Sequence, residues 1–129
     1  MPAPTGRRDE DGKTAMQVML LIHADETAWP RMKEAERNAA MAAYGAYTEA
    51  LRAAGALVNA NRLMPAATAH TVRLVDGAPQ VLDGPYAETR EQLGGYYLIE
   101  VPDMATALRW AARCPGAGHG VVEARPVMA

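Results

Sequence analysis

The segment at residues 16–22, MQVMLLI, places the tightest limit on what this chain can fold into. As a strand it puts Val18, Leu20 and Ile22 on one face and Met19 and Leu21 on the other. A strand wetted on one face alternates apolar and polar residues, so this one must be covered on both. Tyr96, Tyr97, Leu98, Ile99 and Val101 repeat the pattern far along the chain. Between them, Ala40, Tyr44, Tyr47 and Leu51 recur at helical spacing, which predicts a helix over 32–54 with Gly55 at the left-handed cap. A second strand is expected over 56–64, stopped by Pro65. Asp76-Gly77, set between apolar stretches at 71–75 and 80–82, signals a tight hairpin. Asp103 is positioned to cap a helix over 104–113 that Cys114-Pro115-Gly116 ends, and residues 121–127 supply a last strand.

Without the hairpin the order is β-α-β-β-α-β. Right-handed crossovers fold that order into an α+β domain, a ferredoxin-like antiparallel sheet with both helices on one face. Two helices leave the other face bare, although the first strand is apolar there too. A second copy of the chain is the expected cover, giving a symmetric homodimer with a barrel-like space between two sheets and more than ~1,000 Å² buried in total. In this topology the first strand lies between the strand preceding the second helix and the last strand, antiparallel to both.

Composition bounds the partners. With 129 residues and a formal charge of −2, acids and bases interspersed, the chain fits one domain and offers no basic stripe for phosphates, so no nucleic acid is expected. The longest apolar run, at 18–22, is far short of the roughly 20 residues a spanning helix needs, so no membrane role is expected either. Cys114 is the single cysteine, which rules out an internal disulfide and makes a cytoplasmic setting the default. Residues 1–15 are charged and rich in Pro and Gly, the composition of a disordered tail, and the folded domain is expected over 16–129.

Candidate chemistry gathers at the rim where the first strand ends. His23 has Asp25 two residues on, an acid that could orient an imidazole able to work near neutral pH. The stretch LDGPYAETREQLGGYY reaches the same rim, where loops converge beside a partly open cavity. Asp83, with His23 and Asp25, is a candidate for proton transfer; Tyr86, Glu88, Arg90 and Glu91 are candidates for ligand contact, with Arg90 suited to a small anionic ligand. The competing reading makes Asp83-Gly84-Pro85 a plain turn and Glu88, Arg90 and Glu91 a solvated face. His70 and His119 lack metal-ligand spacing, so no metal is expected. The sequence contains no phosphate loop, nucleotide fingerprint or nucleophile elbow, and no cofactor is expected.

The run DGPYAETREQLGGYYLIEVPD, with MLLIHADE before it, MAAYGAYTEALRAAGALV in the middle and ALRWAARCPG near the end, resembles the DGPF-type members of the YCII-related family. Tyr86 and Arg90 are mild departures from the usual Asp-Gly-Pro-Phe-Ala-Glu-Thr-Lys-Glu. The resemblance implies the ferredoxin-like fold and the dimeric barrel. It also implies, for the wider family, a His and Asp acid/base pair on the first helix and just after the second. This chain has no His in 32–54 and carries Arg113-Cys114-Pro115 where the acid would stand, so that pair does not carry over. The activity this suggests is acid/base chemistry on a small ring compound. The alternative is a regulatory module linked to extracytoplasmic-function sigma factors, beside which such proteins are often encoded.

Overall fold

The computed structural model describes residues 7–8 and 14–129. Strand β1 (Arg7–Arg8) is followed by β2 (Thr14–Ala24), the short helix α1 (Ala28–Arg31) and the long helix α2 (Glu34–Ala53). Then come β3 (Leu57–Arg62), the hairpin strands β4 (His70–Val75) and β5 (Ala78–Asp83), β6 (Gln92–Val101), α3 (Met104–Arg113) and β7 (Val121–Pro126). The class is α+β, with antiparallel strand pairs throughout the described residues.

Strand β2 lies between β6 and β7 and runs antiparallel to both, with Leu20 opposite Tyr97 on one side and Ala124 on the other. Strand β3 extends the sheet beyond β6. The core forms on the helical face: Val18, Leu20, Ile99 and Leu51 are fully buried, joined by Ala107, Ala111 and Cys114 from α3 and its end. Tyr47 ties the layers together. Its ring meets Tyr97 edge-on at 5.1 Å and Trp110 at 6.0 Å, and its hydroxyl donates to the Trp110 carbonyl at 2.7 Å. Burial pushes the Tyr47 phenol well above its ordinary range, so it stays a neutral donor. Tyr47→Phe is therefore expected to cost about 1–2 kcal/mol, readable by chemical denaturation, because the Trp110 carbonyl loses that donor.

Two sequence expectations change in the structure, the tail and the open sheet face, while the long helix and the hairpin hold. The tail reading of residues 1–15 falls mostly outside the described residues, but β2 already starts at Thr14, Ala15 is buried, and Arg7–Arg8 pair with Thr14 and Ala15. The helix expected over 32–54 is α2, opened by Lys33, whose N–H is donated to the Glu36 carboxylate at 3.1 Å, and the short α1 before it is an addition. The hairpin turns at Asp76 (φ 51°) and Gly77 (φ 80°), both left-handed as a two-residue turn requires, and as the expected insertion it forms its own two-stranded sheet. Finally, the face of the main sheet away from the helices is only partly apolar. Met19, Leu21, Tyr96 and Leu98 form a half-buried central strip, while Gln17, Glu100, Glu123 and Arg125 share the face and Asn59 and Asn61 donate to the Tyr96 hydroxyl.

Candidate functional site

The loop between β5 and β6 is built by its own hydrogen bonds. Gly84 adopts φ 100°, open only to glycine at low cost, and its N–H donates to the Ala69 carbonyl at 2.7 Å, tying the loop to the base of the hairpin. At the far end the Gln92 amide donates to the carbonyls of Ala87 (3.0 Å) and Thr89 (3.1 Å), and the Thr89 hydroxyl to Glu91 (2.6 Å). Asp83-Gly84-Pro85 is thus a turn that aims the following residues at the end of β2. On the other side, the Glu26 carboxylate accepts from the Ala66 N–H at 2.8 Å and fixes the segment leading into the hairpin.

Two clefts open on either side of this loop, with Pro85, Thr89, Gln92 and Ala66 common to both walls. The first, about 530 Å³, is predominantly apolar and is walled by His23, Leu63, Met64, Pro65, Tyr86 and Leu93, with Glu91 at its margin. The second, about 430 Å³, gathers Asp25, Glu26, Asp83, Glu88 and Arg90. The residues expected to share one rim cavity are therefore divided: His23, Tyr86 and Glu91 fall in the apolar cleft, Asp25, Asp83, Glu88 and Arg90 in the polar one. His119 and His70 line neither.

The pairings also differ from the simplest sequence expectation. Asp25 does not serve His23; its carboxylate accepts from the Thr27 hydroxyl (2.7 Å) and N–H (2.9 Å), and Arg90 Nε stands 3.7 Å from its other oxygen. The Thr27 contacts, with smaller help from Arg90, hold the Asp25 carboxyl below its ordinary range, so it is ionised at neutral pH. The Arg90 side chain is 90% exposed and keeps its charge accessible. Asp83 is paired instead with His70, Nδ1 to Oδ1 at 3.0 Å, at the base of the hairpin.

The partner of His23 is Glu123, which sequence reasoning missed, with Nε2 and Oε1 3.4 Å apart. Arg125 donates to the second oxygen of the same carboxylate, through Nε at 3.1 Å and through its terminal nitrogen. That contact, ahead of the smaller contribution of His23, holds Glu123 below its ordinary range. Strand alternation could have suggested the pair, since His23 faces Val121 across the β2–β7 ladder and Glu123 follows on the same face; the register itself was needed. Gly120 makes that register accessible: a Cβ there would collide with the His23 carbonyl.

Among the described residues, no group of three or more His, Cys, Asp or Glu is placed to hold a metal ion, and no helix is long and apolar enough to cross a membrane. Cys114 is buried and its thiol is pushed up by desolvation, which makes it a packing residue rather than a nucleophile.

Comparison with known proteins agrees with the residue-level resemblance. The YCII-related domain family matches residues 16–129. An uncharacterized protein of Rhizobium meliloti (strain 1021), R00369, is 34% identical over 114 residues, covering 87% of this chain and 92% of the relative.

Proposed function

The chain belongs to the YCII-related family, and we propose that it binds a small ring compound in the apolar cleft and exchanges a proton with it through His23. The observation that carries this reading is the position of His23, a half-exposed imidazole set in the wall of a cleft of about 530 Å³ whose other walls are mostly apolar. That volume suits a small molecule, and imidazole is the side chain best matched to proton transfer near neutral pH. Leu63, Met64, Pro65, Pro85 and Tyr86 in the cleft lining give a ring apolar surfaces to pack against. Arg90 stands just across the shared loop wall, exposed and 3.7 Å from Asp25, where it can turn to a carboxylate carried by the ring. The protomer is proposed to be ferredoxin-like, with its open sheet face set against that of a second copy.

4-Nitrophenol and 4-hydroxybenzoate test this reading, with binding followed by chemical-shift changes of the protein. Both should perturb residues around His23 and Leu93. Arg90→Ala should weaken 4-hydroxybenzoate roughly ten- to a hundredfold, the worth of a charge-assisted hydrogen bond, and leave 4-nitrophenol nearly unaffected. Failure of both compounds to perturb the cleft at millimolar concentration would remove the ring-compound reading.

A further inference from the structure

We infer that Glu123, anchored by Arg125, is the positioning residue for His23: its carboxylate accepts from the ring Nε2–H and leaves Nδ1 as the nitrogen that exchanges a proton with a phenol-type hydroxyl in the apolar cleft. The inference rests on the reading of His23 as the proton-transfer group and adds the device that makes it one.

The geometry follows from the edge of the sheet. Val121, Glu123 and Arg125 occupy alternate positions of β7 on the face away from the helices, and His23 stands opposite Val121 on β2. Glu123 thus has one oxygen on the imidazole, at 3.4 Å, and the other on the Arg125 guanidinium, at 3.1 Å. An anchored carboxylate loses little further freedom when it holds the ring, which is the role second partners play in acid/base pairs. As a plain surface ion pair this row would be worth almost nothing to stability. Its location argues for more, since His23 is also a wall of the apolar cleft while the exposed pair His70–Asp83 stands outside it. Glu91 also lines the apolar cleft, and Asp25, two residues from His23, has its oxygens engaged by Thr27 and Arg90. From β6 the ring faces Leu93, which is apolar.

The step balances without a co-reactant. The hydroxyl O–H bond breaks, its electron pair stays on oxygen as phenolate, and the proton forms an N–H bond at Nδ1. The resulting imidazolium is stabilised by the Glu123 carboxylate, which Arg125 keeps ionised. Return of the proton restores the starting state.

The test is nitrogen-resolved proton NMR of the histidine rings in the full chain, with 4-nitrophenol ionisation read in parallel by its phenolate absorbance. A low-field proton on Nε2 of His23 is expected in the unmodified protein, lost in Glu123→Ala and retained in Glu123→Gln, whose amide oxygen still accepts. The phenolate fraction of bound 4-nitrophenol should fall roughly tenfold in Glu123→Gln despite the retained ring proton, because the compensating charge is gone. A held proton on Nδ1 instead, or an Nε2 signal unchanged in Glu123→Ala, overturns the inference. If 4-nitrophenol fails to bind, the ring-compound reading falls, and the ring-proton signal still decides whether Glu123 holds His23.

Discussion

Leu20→Ala is expected to lower the unfolding free energy by about 3–4 kcal/mol, a large share of the total for a domain of this size. Leu20 is fully buried at the centre of the main sheet, between Tyr97 on β6 and Ala124 on β7, beneath the helical layer. Truncation removes its transfer free energy and leaves a cavity that β2, hydrogen-bonded to β6 on one side and β7 on the other, cannot collapse to fill. Chemical denaturation should show a lower midpoint with an unchanged slope, the signature of lost stability without a change in cooperativity. A loss below about 1 kcal/mol would mean that the core is loosely packed around this strand, contrary to its complete burial.

That substitution probes the half of the fold the sequence made legible. The apolar run in 16–22 located β2, Asp103 announced α3 through a cap in which Thr106 donates from both its N–H (2.8 Å) and its hydroxyl (2.7 Å), and Asp76-Gly77 announced the hairpin turn. These are local signals, fixed by residues a few positions apart. The placement of β2 between β6 and β7 followed from handedness once the element order was known. Pairing of Arg7–Arg8 with β2 was not legible, because backbone hydrogen bonds leave no apolar pattern behind. At the site, proximity in sequence misled: Asp25 stands two residues from His23 yet is taken up by Thr27, whereas Glu123 lies a hundred residues away and reaches His23 through strand register. The division of the rim into two clefts was hidden for the same reason, since it depends on how the Gln92 amide folds the loop back between them.

Leu21→Asp, one residue along, should act on association rather than on the core. Leu21 points to the face opposite Leu20, half-buried in the strip formed with Met19, Tyr96 and Leu98, and its ladder partners are Tyr96 and Glu123. In the proposed dimer this strip is the centre of the interface, and a carboxylate there would be desolvated without a partner and placed beside Glu123. Leaving a charge buried and unpaired costs about 3–5 kcal/mol, so the dimer should weaken by at least ~100-fold. Sedimentation at micromolar concentration should show the unmodified chain as a dimer and Leu21→Asp as a monomer. The isolated protomer, whose core lies on the other face, should keep its fold, though its apparent stability will no longer rise with concentration. A monomer in both cases would remove the dimer and leave the cleft untouched. The two are nonetheless joined: His23 and Leu93, partners across β2 and β6, belong both to the cleft wall and to the same sheet face. If a second copy covers that face, it also shuts out water beside His23, where the Glu123 carboxylate acts more strongly on the ring as the local dielectric falls. Leu21→Asp should then weaken 4-nitrophenol ionisation in step with dimer loss, although the substituted side chain touches no part of the cleft.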